Sequence, residues 1–399
     1  ARQRDRTGKT VPKWWPSSPE LETCAPAKHA SELTVGFVVP APERASTTAP
    51  TSAIAYAARM PEKIRHVIGC MTGTSIDALD AALVVIRGEG LAMRCEFVRG
   101  VSRPFGDLAG ELRLLATQER FAARDIARLA LALGEHHAAA VKDVMRGASM
   151  PRAELVVLHG QTVFHAPPLS WQMINPWPVV RAAGCPVVFD LRGADLAAGG
   201  QGAPITPLSD WLMFRQTSVS TAVVNLGGFC NLTILPRGGR VEDVEGMDVC
   251  VCNQLLDAIA RERFDAPFDD AGKHALAGSS NAHAEAQLVQ HLRESSQARR
   301  SLGTGDEHLA WLAEWREKLN GEDLARTATE AIGLVIGDRS RAAGCESVLL
   351  AGGGAKNVAL ENAINRSSGV RTATLLERGV PGEFREAMAM AALGALCQD

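Results

Sequence analysis

The chain has 399 residues, 46% of them apolar and 22% charged, with a formal net charge of −3. Such a chain is long enough for two cores, and its charge balance gives no basis for a nucleic-acid or anionic-membrane partner. No apolar run reaches the about 18 residues of a membrane span, and nine cysteines without regular spacing read as reduced thiols rather than a disulfide framework.

Residues 1–63 form a segment apart, rich in Pro, Ser, Thr and Ala and without helical or strand periodicity. Arg2, Arg4, Arg6, Lys9 and Lys13 give it a leader-like basic start, but Asp5, Glu20 and Glu22 dilute that pattern, and it reads as an irregular extension. The expected location is cytoplasmic, with organelle targeting by this extension left open.

From Ile64 strand and helix patterns alternate. Residues 64–71, 78–87 and 90–99 read as three strands joined by tight turns, and 105–118 and 122–145 carry apolar residues at helical spacing. "ELVVLHG" (154–160) is a buried strand, and "PVVFDLRGADLAAGGQGAP" (186–204) is a strand running into a Gly-rich loop. A new strand begins at Ser220, followed by helices near 249–263, 282–293 and 323–343, a strand at 347–351, and helices at 355–365 and 383–396.

Two of these segments echo each other. "IRHVIGCMTGTSIDALDAALVV" and "TAVVNLGGFCNLTIL" are each a strand, a Gly-centred turn and a returning strand. Paired hairpins of this kind suggest a duplicated two-lobe fold, whose turn N–H groups can face a polyphosphate across a cleft. Small residues there let a phosphate approach the backbone, and carboxylates beside it suit a hydrated Mg²⁺. Neither the P-loop nor the dinucleotide-binding fingerprint is present.

The block "GCMTGTSIDALDAAL" resembles the N-terminal signature of the anhydro-N-acetylmuramic acid kinases. The likeness continues in order through "HGQTVFH" (159–165), "DLRGADLAAGGQGAP" (190–204), "NLGGFCNLT" (225–233), "AGGGAKN" (351–357) and "EAMAMAALG" (386–394). The resemblance implies an α/β, two-lobe duplicated actin-like ATPase (ribonuclease H-like) fold with a central cleft. It places an N-terminal lobe at 64–205, a C-terminal lobe at 206–382, and a helix at 383–399 returning towards the N-terminal lobe. It also implies a kinase that uses ATP and Mg²⁺ to open a 1,6-anhydro sugar with water and phosphorylate O6, in amino-sugar and peptidoglycan recycling. The implied partners are ATP and the small anhydro sugar, with no nucleic acid or membrane, and a homodimer as the family tendency.

Carried over by position, Gly73, Thr74 and Ser75 belong to the first phosphate loop, with Asp77 at the metal. Gly227 and Gly228 form the second phosphate loop, and Gly352, Gly353, Gly354 and Asn357 hold the adenosine. Asp190 is the implied catalytic base, and Glu386 the implied second catalytic carboxylate, which helps to position the sugar or its attacking water; His159, Gln161, Arg192, Gly200 and Gln201 fall on the sugar side. Water attacking the acetal carbon needs a base on the face opposite the leaving oxygen, as in inverting glycosidases, and Asp190 ends an apolar strand that would anchor it.

Other patterns are weaker. His159 and His165 lack a third zinc ligand, Cys250 and Cys252 lack a second pair, and Trp14 and Trp15 sit in the extension, leaving Trp177 as the aromatic that could stack on a sugar. Three departures from the family pattern stand out. "MDVCVCN" (247–253) replaces a Gly- and Thr-rich loop, Ile174 replaces a glycine, and Asp210 replaces a histidine. The first puts phosphate contacts in doubt, and the others suggest an altered sugar side. The alternatives to the favoured reading are a levoglucosan-type kinase and a catalytically impaired nucleotide-binding member.

Overall fold

The computed structural model describes residues 62–147, 150–297 and 307–399, so the sequence reading of residues 1–61, Trp14 and Trp15 included, falls outside the described residues. Seven strands come first: β1 (Ile64–Thr72), β2 (Ala78–Arg87), β3 (Arg94–Pro104), β4 (Leu155–Leu158), β5 (Gln161–Ala166), β6 (Leu169–Met173) and β7 (Val187–Phe189). Five of them make a sheet in the order β3-β2-β1-β4-β7, while β5 and β6 pair separately as a hairpin. In that sheet β2 runs antiparallel to β1 and β3, whereas β4 is parallel to β1 and β7 to β4.

The second half repeats this. Strands β8 (Thr221–Leu226), β9 (Phe229–Leu235), β10 (Glu245–Val251), β11 (Ser347–Ala351) and β12 (Thr372–Thr374) order as β10-β9-β8-β11-β12, again two antiparallel pairings followed by two parallel ones. Two sheets with the same order and the same strand directions constitute the duplicated actin-like ATPase fold, with β1–β2 and β8–β9 as equivalent hairpins.

Three apolar layers hold the sheets. One face of the first sheet packs Ile68, Leu79 and Val156 against Leu112, Leu129, Leu133 and Val141 of the helices Leu108–Ala116 and Ala123–Val144. The outer face of the second packs Val224, Leu232 and Val348 against Leu255, Leu288, Ile332 and Leu360 of its own helices. Between the sheets lies the helix Arg385–Leu396, whose residues 387 to 395 share one core with Val67 and Val157 of the first sheet and Val223 and Leu349 of the second.

This central helix reads "REAMAMAALGAL", apolar from Ala387 onward because both its sides are buried, with alanine and glycine where the approach is close. Contact reaches the backbone. A Cβ at Gly69 in β1 would lie 1.9 Å from the Ala387 carbonyl oxygen and 2.6 Å from the Ala391 nitrogen, and one at Gly394 would lie 2.2 Å from Val157 Cγ2.

Three sequence assignments change. The third strand begins at Arg94 rather than residue 90, because Gly88 and Gly90 adopt positive φ and a short 3-10 turn over Gly90–Ala92 precedes it. Residues 245–251 are a strand, and the helix expected from 249 starts at Asn253. Val249, Cys250, Val251 and Cys252 are all buried, and a continuous apolar run does not distinguish the two states by periodicity. The β5–β6 hairpin has no counterpart among the predicted strands.

Gly69→Ala is expected to lower unfolding free energy in urea by about 2–3 kcal/mol or more, the cost of forcing a methyl group into a filled backbone contact. A midpoint equal to that of the unaltered protein would show that the central helix yields without penalty.

Candidate active site

The first hairpin turn, Gly73–Asp77, stands on buried strand ends and presents Thr74, Ser75 and Asp77 to solvent. Ile76 takes φ 55° there with its side chain almost fully buried, a conformation costly for a β-branched residue and therefore held by its surroundings. Arg113 supplies the hold: its Nη2 donates to the Ser75 carbonyl at 3.2 Å, the Ile76 carbonyl at 3.1 Å and Asp77 Oδ1 at 2.7 Å. A Cβ at Gly73 would meet nothing closer than Ser75 Oγ at 3.7 Å, so that face of the turn is open.

The sugar-side candidates are tied to this turn and to one another. Gln161 is fully buried; its Nε2 donates to the Gly73 carbonyl at 3.3 Å, while its Oε1 is buried without a partner. His159, also buried, contacts the Gly160 carbonyl through Nδ1 at 2.7 Å and accepts from Arg192 Nε through Nε2 at 2.9 Å. A guanidinium can only donate, so the proton of this imidazole sits on Nδ1. Burial, reinforced by Arg192, lowers the His159 pKa to about 3, so the ring is neutral at working pH. Arg192 also donates through Nη1 to the Gly202 carbonyl at 2.8 Å, joining the strand-end histidine to the Gly-rich loop.

Asp190 sits where β7 ends. It adopts φ 59°, is exposed, and caps the helix Leu191–Ala197 by accepting from the Gly193 N–H at 3.2 Å through Oδ1. A Cβ at residue 193 would come within 2.6 Å of this carboxylate, so the cap requires glycine. Asp195 accepts from the Gly202 N–H at 2.6 Å and fixes the returning loop, while Gln201 is exposed beside Gly200.

In the second half the Gly227–Gly228 turn backs onto the helix Asn253–Phe264. The Asn253 N–H donates to the Gly227 carbonyl at 3.0 Å, and Cys252 and Gln254 donate to the Gly228 carbonyl at 2.8 and 3.2 Å. The first donors of that helix are thus already engaged, and it is the N–H groups of the turn itself that remain for a ligand. Gly352, at φ 78°, lies against the end of β8, where a Cβ would meet Asn225 Oδ1 and the Leu226 carbonyl at 2.8 Å; Gly353 has open space around it. Asn357 spends its Oδ1 on the Leu360 N–H at 3.0 Å, capping the helix Val358–Ser368.

Glu386 joins the halves. It lies in the first turn of the central helix, half-buried, with Asn225 Nδ2 3.5 Å from its Oε1, and its charge is felt by Arg192 from the first lobe and by Asp80 on β2. Burial raises the Asp80 carboxyl to about 6, with Glu386 and Glu383 adding to the rise and a hydrogen bond with Ser102 opposing it.

Comparison with known proteins follows from this geometry. Residues 65–398 match the family model described as anhydro-N-acetylmuramic acid kinase. The chain belongs to that family. Relatives named anhydro-N-acetylmuramic acid kinase include one from Salinibacter ruber, 36% identical over 66% of this chain and 71% of the relative. Another, from Chromohalobacter salexigens, is 34% identical over 75% of this chain and 83% of the relative, and one from Streptomyces coelicolor is 33% identical over 83% and 87%. Among solved structures, the activator of 2-hydroxyisocaproyl-CoA dehydratase from Clostridium difficile, with bound ADPNP, aligns with a TM-score of 0.41 at 12% identity over 84% of this chain and 95% of that one. A ROK family glucokinase from Streptomyces griseus, in complex with glucose and AMPPNP, aligns with a TM-score of 0.39 at 14% identity over 82% and 98%.

As a member of the anhydro-N-acetylmuramic acid kinase family the protein is a kinase of an anhydro sugar, and its three sequence departures have structural explanations. Val249, Cys250, Val251 and Cys252 take no positive φ; they run as β10 and its exit, with every side chain in the core of the second lobe. Burial pushes the Cys252 thiol up to about 12, as expected of an inert packing residue. Ile174 packs on the first-lobe core beside Gly160. Asp210 is wholly buried and bound to Arg385, which corrects its assignment to the sugar side. Trp177 is 72% exposed at the start of the helix Trp177–Ala183.

Arg113 and Asn225 are site neighbours that the sequence reading missed, and Asp80, read with Asp77 as one of the two carboxylates of the turn, lies within β2. Asp80 lay in plain view inside the first motif, but only the fold brings a residue 306 positions later in the chain against it.

Asp80 has a testable pH signature. Its folded pKa of about 6 exceeds the unfolded value of 3.8, so the folded state keeps a proton that the unfolded chain loses, and stability falls as pH rises through that window. Asp80→Asn is therefore expected to stabilise the protein by about 1–3 kcal/mol at pH 8 and by nothing near pH 3.5. Thermal melts of both proteins at the two pH values check this, and a pH-independent difference would refute it.

Proposed function

We propose that the protein is an ATP-dependent kinase that opens 1,6-anhydro-N-acetylmuramic acid with water and phosphorylates O6, returning a cell-wall amino sugar to metabolism. The single observation that carries this reading is the link from His159 through Arg192 of the first half to Glu386 of the central helix, with Asp190 two residues before Arg192 at the end of β7.

In this reading Asp190 is the base. Its Oδ1 is held by the Gly193 N–H while its left-handed backbone and the rigid strand behind it fix its direction. Asp190 takes one proton from water as the water oxygen bonds to C1, the C1–O6 bond breaks, and O6 attacks the γ-phosphoryl group, releasing ADP. The second water hydrogen stays on the new anomeric hydroxyl, and the proton on Asp190 leaves to solvent. Hydrolysis and phosphorylation are coupled because one oxygen is the leaving group of the first and the nucleophile of the second.

Glu386, poised between Asn225 and Arg192, orients the sugar or the attacking water. Arg192 and the neutral His159 offer a fixed donor and acceptor frame for hydroxyl groups, with Gln161, Gly200 and Gln201 alongside. The unpartnered Gln161 Oε1 supports this role, since a buried acceptor without a donor invites one from a ligand.

Thr74, Ser75 and the backbone N–H groups of Gly73, Gly227 and Gly228 would cradle the phosphates, and Gly352, Gly353, Gly354 and Asn357 the adenosine. A hard, exposed carboxylate beside the turn suits Mg²⁺, which binds through one or two carboxylates plus phosphate oxygens; Asp77 is such a group, its side chain 69% exposed. Bound there, the ion would offset phosphate charge. Arg113 then keeps the Ser75 and Ile76 carbonyls even if Asp77 turns to the metal.

ADP release with 1,6-anhydro-N-acetylmuramic acid tests the reading. Asp190→Asn is expected to cut kcat by about 10²–10⁴-fold with little change in the KM for ATP. Undiminished turnover in that variant, or turnover without the sugar, would reject it. Gly73→Ala, which meets no steric obstacle within the protein, is expected to leave the unfolding midpoint unchanged and weaken ATP binding by roughly tenfold or more, measured calorimetrically.

A further inference from the structure

The most deeply buried charges in the described residues lie directly behind the site. Asp210, in the helix Thr206–Phe214, is 0% exposed and Arg385, the first residue of the central helix, is 2% exposed. Arg385 Nε donates to Asp210 Oδ1 at 2.9 Å, its Nη2 donates to Oδ2, and Thr233 Oγ1 of β9 donates to Oδ2 at 2.9 Å. Arg385 Nη1 is buried without a partner.

The next residue is Glu386. Two carboxylates therefore compete for one guanidinium, and both act to keep it charged although burial opposes that. The planar two-bond match gives it to Asp210. Glu386 is left with a long contact to Asn225 and with electrostatic coupling to Asp80 on β2, which Glu383 in the turn before the helix also influences, and to Arg192 of the first lobe. A buried ion pair is weak as a source of stability compared with apolar packing, so its placement next to a reacting carboxylate calls for another explanation.

We propose that Asp210 is a positioning residue for Glu386: by engaging two nitrogens of Arg385 in the core, it prevents that cation from turning onto the adjacent carboxylate and leaves the carboxylate free for the sugar. This rests on the reading in which Glu386 faces the sugar. Asp210 touches no substrate itself and acts only by holding a competitor away.

The test uses the full chain as Asp210→Asn and as the double variant Asp210→Asn/Arg385→Gln, which removes the unbalanced cation. Glutamate labelled with ¹³C at the side-chain carboxyl reports the Glu386 titration by NMR, assigned with Glu386→Gln. Turnover of 1,6-anhydro-N-acetylmuramic acid with ATP is measured in parallel. In Asp210→Asn the Glu386 midpoint is expected to fall by about one pH unit as the freed cation approaches, and kcat to fall by roughly tenfold or more. In the double variant the midpoint returns close to its original position, and kcat recovers to within about threefold of the unaltered protein.

An unmoved midpoint in Asp210→Asn, or a double variant as impaired as the single one, overturns the proposal. Should Asp210→Asn not fold, the double variant is judged on the Glu386 midpoint and turnover together: both close to those of the unaltered protein support the proposal, and a displaced midpoint or strongly impaired turnover overturns it. Should the unaltered protein show no sugar-dependent turnover, the functional reading fails while the carboxyl titration still judges the positioning role.

Discussion

The structure depends on one helix pressed against the first sheet closely enough to exclude side chains, while it shares its core with the second. Residue 69 can have no side chain because the Ala387 carbonyl occupies its place, and residue 394 can have none because Val157 does. Those two contacts seat the central helix on the first sheet, and its methionines, leucines and alanines fill the core shared with the second. The seating fixes where the helix begins, and its beginning carries Glu386 to the meeting point of the lobes. A chemical group in the site is thus placed by packing some residues away from it.

Around that point lie several short polar links. Gly73 is bound by Gln161, His159 by Arg192, Arg192 by Gly202, and Glu386 stands between Arg192 and Asn225, whose strand leads into the Gly227–Gly228 turn. Each link uses a group that has few alternatives. A buried histidine facing a guanidinium must stay neutral, and a left-handed aspartate at a strand end needs the helix N–H it caps. The loop that replaced glycines with valine and cysteine fits the same logic: its side chains found room in the second lobe's core and left the turn alone.

Much of this was legible in the sequence, for identifiable reasons. Glycine turns between apolar strands reveal the duplicated hairpins because few other residues tolerate close backbone approach, and "PVVFD" marks a carboxylate at a strand end. The strand Glu245–Val251 was misread because a run buried on both faces has no period to betray it. Arg113 and Asn225 were missed because nothing local distinguishes an arginine on an amphipathic helix, or an asparagine ending a strand, from a solvated one; the partners that give them meaning lie far away in the chain. Asp210 was placed on the wrong side for the same reason, since its partner is 175 residues later.

The bond from Gln161 to the Gly73 carbonyl makes the hairpin β5–β6 and the first turn mechanically one piece. A hydroxyl drawn to the unpaired oxygen of that amide would reorient its nitrogen, and the carbonyl it holds, by the same rotation. By linkage, any favour the sugar does the nucleotide must be returned in equal measure. If sugar and nucleotide bind as proposed, a single side-chain amide stands between them as a route by which each would sense the other.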